Sequence, residues 1–366
     1  MALQEYMRQA LEKRADHGML RQLKFHPGTI DFFSNDYLGL AGTPHSLYVS
    51  GATGSRLISG NSAVKMEVEH WLAGFYNAEA ALIFNSGYDA NLGLIAALSH
   101  RQAVVLYDEL CHASIRDGIR LGLARAYSFR HNDVGHLRQL LEKAKGKDIL
   151  VITESIFSMD GDRAPLRQIF EVAENYGAGL VVDEAHAAGM LGPEGRGLCQ
   201  EVGIQPLARV VTFGKALGCH GASVLGGDEL MQYLVNFARP FIYSTALPDA
   251  MFAHIRQMHQ QMHSMDNERH TVTALRREWD ETLRWPTAAI IPSGDHIIGL
   301  LTGSVEHGKL LERELLAAGI SVKAILSPTV PVGFERLRIS LHAFNTPQQI
   351  HHLCTILSNL CPKEYL

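Results

Sequence analysis

Lys215 stands in an unusual setting for a lysine. The run Val211-Thr212-Phe213-Gly214-Lys215-Ala216-Leu217-Gly218 surrounds it with small residues, and Gly221 follows. Glycines admit a backbone or a ligand where a Cβ would clash. Such a lysine is either a solvated loop cation or a Schiff-base amine, whose ammonium gives up its proton readily when desolvated. The lysine alone does not separate these readings.

A second stretch upstream does. Gly179-Leu180-Val181-Val182-Asp183-Glu184-Ala185-His186 has the apolar core of a short strand buried on both faces, ending in an acid. Ligands of open α/β sheets bind beyond the carboxyl ends of the strands, which puts Asp183 at the mouth of a site. A carboxylate there pairs with a protonated pyridine nitrogen; taken alone, it could equally be a helix N-cap or turn acid. His186 follows in the turn, within reach of the same ligand. The chain between Asp183 and Lys215 has the length of one α/β crossover.

These residues need a scaffold of alternating strands and helices. Apolar strand runs recur at Ala80–Phe84, Val104–Asp108, Asp148–Thr153, Gly179–Asp183 and Ala208–Val211, with helical patterns between several of them. Ser62–Phe75 reads as a helix with Glu67, Glu69 and His70 outward. Residues 1–24 read as one amphipathic helix, striped by Leu3, Tyr6, Met7, Ala10 and Leu11. Gly51–Asn61, rich in glycine and hydroxyls, reads as a mobile loop able to line a polar pocket; it lacks the G-K-[ST] of a P-loop. Asn85-Ser86-Gly87-Tyr88-Asp89-Ala90-Asn91 joins a strand to a helix, an arrangement that offers N–H groups and a positive helix end to a phosphate. A charged helix over about 250–284 separates a C-terminal α+β region. There Arg338, like Arg336 on the same strand face, offers a guanidinium fork for a carboxylate.

Taken together, D-E-A-H at Asp183–His186, T-F-G-K-A-L-G at Thr212–Gly218, S-N-D-Y-L-G-L at Ser34–Leu40, S-G-Y-x-A-N at Ser86–Asn91, D-x-x-x-H-A-S at Asp108–Ser114 and T-E-x-x-F-S-M-D-G-D at Thr153–Asp162 resemble the α-oxoamine synthases. These are pyridoxal phosphate (PLP) enzymes of fold type I. The resemblance runs from about residue 3 to 345. It implies an α/β fold with a mostly parallel central sheet sandwiched by helices and a smaller C-terminal α+β domain. The expected divisions are an N-terminal arm and helix at 1–45, a large PLP-binding domain at 46–262 and a small domain at 263–366.

The resemblance also implies roles. Lys215 carries PLP, Asp183 meets the ring nitrogen, His112 covers the ring face and His186 bonds the phenolic oxygen. Gly87, Tyr88, Ser158 and Thr212 hold the cofactor, and Thr245, in Y-S-T-x-x-P, reaches the phosphate of the neighbouring subunit in a homodimer. Arg21 and Asn35 fall near the acyl substrate, Thr329 is a substrate contact, and the family pattern selects Arg338 over Arg336 as the amino-acid clamp. The implied branch is the biotin-forming one, which condenses L-alanine with a pimeloyl thioester on CoA or acyl carrier protein. Glycine- and serine-using sisters are the alternatives, and a non-catalytic scaffold of the same fold is the remote one.

The totals agree with a two-domain soluble enzyme. The 366 residues are 46% hydrophobic and 19% charged, with a formal net charge of −5. That charge gives no footprint for nucleic acid or an anionic membrane. No apolar run approaches the ~20 residues that span a bilayer, and no apolar segment follows Glu5 and Glu12 to suggest a signal peptide. Five dispersed cysteines form no metal spacing and suit a reducing, cytoplasmic setting.

Overall fold

The computed structural model describes residues 3–16, 20, 51–293, 296–327 and 329–361. They fall into two compact units: Met1–Ser155 with Ala164–Ser264, and Ile156–Arg163 with Met265–Leu366.

The first unit is built on seven strands: β1 (Ala80–Phe84), β2 (Ala103–Asp108), β3 (Arg125–Phe129), β4 (Asp148–Glu154), β5 (Gly179–Asp183), β6 (Ala208–Thr212) and β7 (Ala222–Gly226). Their order is β1-β7-β6-β5-β4-β2-β3. Every neighbouring pair is parallel except those made by β7, which runs against both β1 and β6. The strand carrying Asp183 is therefore the middle one of seven. Central strands lose water on both faces, so β4 and β6 are buried along their whole length and read as continuous apolar runs. The edge strand β3 is largely exposed.

Helices α1 (Leu3–Asp16), α2 (Ala63–Phe75), α3 (Gly87–Leu98), α4 (Ala113–Leu121), α5 (Val134–Ala144), α6 (Leu166–Asn175), α7 (Leu198–Val202), α8 (Asp228–Phe237), α9 (Arg239–Tyr243) and α10 (Asp249–His263) complete this unit. Side-chain alternation divides the core between the two sheet faces. Leu82, Phe84, Val210 and Val224 pack with Leu94, Ile95 and Leu98 of α3, Leu234 of α8, and Leu3, Met7 and Leu11 of α1. Ala81, Ile83, Val211 and Leu225 pack on the other face with Leu72 and Phe75 of α2 and Phe252 and Ile255 of α10.

The second unit has a three-stranded antiparallel sheet of β8 (Ile297–Leu301), β9 (Lys323–Ile325) and β10 (Arg336–Ser340) in the order β8-β10-β9. Its helices are α11 (Asp266–Thr282), α12 (Val305–Ala317) and α13 (Pro347–Asn359). The last begins with a full capping box, Thr346 with Gln349. No helix among the described residues is long and apolar enough to cross a membrane.

Four expectations change. The first helix ends at Asp16, and Leu20 lies outside it. The helix expected over 250–284 is two helices, because α10 ends at His263, capped by Ser264, and two acids, Asp266 and Glu268, start a new first turn. Glu69 does not face outward: it is 6% exposed and receives both arms of Arg56, at 2.7 and 2.8 Å, and the Ile83 N–H at 2.8 Å. Consequently the Gly51–Asn61 segment is pinned at its centre, since Arg56 also donates to Asn61 Oδ1 at 2.8 Å. Its arginine is occupied within the fold.

Candidate active site

The residues that could do chemistry gather at the carboxyl ends of β1, β2, β4, β5 and β6. Asp183 is the last residue of β5 and is 5% exposed. A buried carboxylate must be supplied with donors, and it has two. Asn91 Nδ2, from α3, donates to Oδ2 at 2.7 Å, and the Ala185 N–H donates to Oδ1 at 2.9 Å. Its neighbour Glu184 points the other way, as strand alternation requires. There Arg209 donates to it from Nε at 2.7 Å and the Cys199 N–H at 2.9 Å. Of the two adjacent acids, one is held by Asn91 and the other pairs with Arg209.

His112 stands just before α4. Its N–H donates to Glu154 Oε1 at 2.6 Å, and its Nδ1 lies 2.8 Å from Ser114 Oγ. Ser114 Oγ in turn accepts from Asn91 Nδ2 at 3.1 Å. One chain of hydrogen bonds therefore ties Asp183, Asn91, Ser114 and His112 together. Loss of water around the ring lowers the His112 pKa; the Asp183 carboxylate opposes that shift and the Lys215 ammonium adds to it.

Lys215 lies in the loop from β6 to β7, and its Nζ is 3.0 Å from His186 Nε2. The loop needs positive φ at Gly218 (61°) and Gly221 (106°), which only glycine takes without strain. Gly214 is different: a Cβ there would meet nothing closer than 3.5 Å. Lys215 is exposed.

Thr212 closes β6 and is 9% exposed. Gly87 begins α3 directly against it, where an added Cβ would come within 2.4 Å of Thr212 Cγ2. Ser86 caps this helix by accepting the Asp89 N–H at 3.0 Å. The first-turn N–H groups of Gly87 and Tyr88 have no partner inside the helix. Tyr88 is 43% exposed, donates its hydroxyl to Asp117, and sets its ring edge-on to His112. Thr245 is exposed; its carbonyl accepts from Asn85 Nδ2 at 2.9 Å, and the next residue, Ala246, donates to Gly54 O at 2.9 Å.

Within the second unit, β10 separates the two arginines that the residues alone left equivalent. Arg336 is 6% exposed, pairs with Asp160 and donates to Phe334 O at 3.0 Å. Arg338 donates to Ser158 O at 2.6 Å and Ser340 Oγ at 3.1 Å. Thr329 is exposed, and its N–H donates to Leu326 O. Arg21 and Asn35 lie outside the described residues. Sequence reasoning quoted Asn91, Ser114 and Glu154 as motif letters without giving them roles. What the motif letters do not record is the atoms they reach after folding: Asp183 for Asn91, His112 for Ser114 and Glu154.

Residues 27–357 match the model of the family "Aminotransferase class I and II". A curated relative from Vibrio cholerae, named 8-amino-7-oxononanoate synthase, is 38% identical over 365 residues, covering 97% of this chain and 93% of its own. Among solved structures, a serine palmitoyltransferase from S. paucimobilis with bound PLP and myriocin superposes with a TM-score of 0.79 at 29% identity, covering 96% of both chains. An 8-amino-7-oxononanoate synthase from Francisella tularensis superposes with a TM-score of 0.74 at 28% identity, covering 93% of this chain and all of its own.

Proposed function

Because the chain belongs to the aminotransferase class I and II family, and within it to the α-oxoamine synthases, we propose that it condenses L-alanine with a pimeloyl thioester, releasing CO2 and the free thiol carrier to give 8-amino-7-oxononanoate for biotin formation. The observation that carries this reading is the Lys215–His186 pair beside the Asn91-held Asp183, in a chain whose full-length curated relatives bear that enzyme's name.

The residues present fit PLP. The contact of Gly87 with Thr212 leaves no room for a Cβ between the start of α3 and the end of β6, so backbone N–H groups can approach a phosphate there. Asn91 Oδ1 is buried without a hydrogen-bond partner among the described residues. Gly87, Tyr88 and Thr212 would hold the phosphate end, Asp183 a proton on the ring nitrogen, His186 the phenolic oxygen, and Ser158 a further polar contact. When bound, the cofactor supplies an electron-withdrawing ring that stabilises negative charge at the amino-acid α-carbon.

The chain's own groups do the rest. Lys215 would carry the cofactor through Nζ and, once the alanine amine has taken its place, accept the α-proton of alanine at the freed Nζ. His186, 3.0 Å away, orients that amine. His112 covers the ring face; its lowered pKa favours the neutral imidazole, which both accepts and donates a proton. Arg338 receives the alanine carboxylate, since Arg336 is occupied by Asp160. Arg21, Asn35 and Thr329 are assigned to substrate contacts, and the divisions at 1–45, 46–262 and 263–366 to the three parts of the fold. We place the enzyme as a homodimer in which the exposed Thr245 serves the neighbouring site. The five unpaired cysteines support a cytoplasmic setting.

The similarity to a serine palmitoyltransferase favours one alternative, a sister enzyme that takes serine or glycine. Purified protein offered alanine, glycine or serine with thioesters of graded length, on CoA and on acyl carrier protein, distinguishes the two. The proposal requires the highest kcat/KM for alanine with the pimeloyl thioester. A preference for serine with a long acyl chain, or for glycine with an acetyl group, contradicts it.

A further inference from the structure

Glu154 is a buried acid to which the proposed chemistry gives no task. It ends β4, is 3% exposed, and pairs in register with Asp183 on β5. Residues in register on parallel strands share a face, about 4.8 Å apart. Two carboxylates so placed in a buried site do not both ionise without a large cost.

The hydrogen bonds decide which one keeps the charge. Asp183 receives a donor on each oxygen, from Asn91 Nδ2 and Ala185 N. Glu154 receives one, the His112 N–H at 2.6 Å on Oε1, and no other side-chain hydrogen bond among the described residues. Donors favour the anion, so the better-supplied oxygen pair carries it. The groups facing Glu154 from the neighbouring elements are Asp108 at the end of β2, Cys111 and His112 after it, Asp183 on β5 and Lys215 beyond β6. Asp108 is itself held by the Leu110 and Asn132 N–H groups and by His131.

We infer that Glu154 is a positioning residue in its neutral form: it fixes His112 through the backbone and leaves the negative charge of the strand-end acid pair on Asp183. Burial, then the Asp183 charge, push the Glu154 carboxyl well above its ordinary range, against the opposing effects of the His112 N–H and then the Lys215 ammonium. A neutral acid at this point holds the start of α4 through the His112 N–H without placing a second negative charge beside Asp183. The significance of His112 and Asp183 rests on the acyltransfer reading; the protonation assignment does not.

The test uses cofactor-free protein, so its failure is distinct from failure of that reading. At pH 7 the infrared spectrum should contain the carbonyl stretch of a protonated carboxyl group, shifted in D2O. That band should vanish in Glu154→Gln and persist in Asp183→Asn. The His112 titration followed by NMR should be unchanged in Glu154→Gln, because one neutral group replaces another; deleting a nearby charge would move it by about one unit. No band, a band that survives Glu154→Gln, or a titration shift of that size overturns the inference. Should Glu154→Gln not fold, isotope labelling of the side-chain carboxyl groups decides it: a band that shifts with 13C-labelled glutamate carries the assignment, and one that shifts with 13C-labelled aspartate overturns it.

Discussion

At the scale of single residues, the site depends on how closely groups approach as much as on which groups they are. Gly87 and Thr212 touch where α3 begins and β6 ends. Gly87→Ala should therefore displace the helix start, with a cost of about 1–3 kcal/mol and at least a tenfold loss of PLP affinity. Urea unfolding and absorbance titration with PLP check the two effects. Because the clash is with Cγ2, adding Thr212→Ser should recover most of both, keeping the hydroxyl while removing the methyl. No recovery would mean that Gly87 matters for another reason. The settings of Lys215 and Asp183, a lone lysine among glycines and an acid ending an apolar run, could be read from the sequence; His186 was singled out only by the motif that carries it. Asn91 and Ser114 were less legible, since their importance lies in the atoms they reach after folding.

At the scale of elements, two buried polar groups set how α2 is held. Arg56 and Glu69 form a fork with almost no solvent access. Arg56→Ala strands a buried carboxylate and should destabilise the protein by about 3–5 kcal/mol. Arg56→Lys should restore little of it, because an ammonium cannot fill both arms of the fork. Denaturant midpoints check both variants, and a loss below about 1 kcal/mol in Arg56→Ala would contradict the account.

His259 of α10 makes a pH-dependent contribution to the same region. It is fully buried, with Tyr76 OH at 3.1 Å, Ile255 O at 2.7 Å, and the rings of Phe75 and Phe213 around it. Burial lowers its pKa from 6.5 to about 4. The unfolded chain then binds a proton that the folded chain refuses. The His259 contribution is thus complete above about pH 6.5 and is lost as pH falls toward 4, by on the order of 3 kcal/mol. The stability gap between wild type and His259→Gln, measured by urea unfolding, should narrow by about 2 kcal/mol from pH 7 to pH 4.5. A constant gap would show that His259 titrates normally.

The buried strands and several amphipathic helices were legible at this scale, because they leave strong periodicities; the largely exposed edge strand β3 has no apolar run and was not. The direction of Glu69 and the break at Ser264 were not. A glutamate on a helix reads as solvated until its arginine is found in space. A continuous run of helix formers hides an end that only the first-turn acids Asp266 and Glu268 mark.

At the scale of the whole molecule, the proposed homodimer makes a prediction that one chain cannot satisfy. If Thr245 completes the neighbouring site, Lys215→Ala and Thr245→Asp are each inactive as pure dimers. Mixed and reassociated, half of the dimers are hybrid and each has one intact site, giving about a quarter of wild-type activity. No recovery would place Thr245 in its own chain's site. Sequence pattern suggested this arrangement through a motif; it could not derive it, because no periodicity records which chain a loop serves.

The central claim is that Lys215 is the amine that carries PLP. Borohydride reduction of the PLP-loaded protein, followed by proteolysis and peptide mass mapping, tests it directly. The account predicts one phosphopyridoxyl group per chain, on the peptide containing Lys215, and none in Lys215→Ala. A modification on any other lysine, or an unmodified protein, would contradict it.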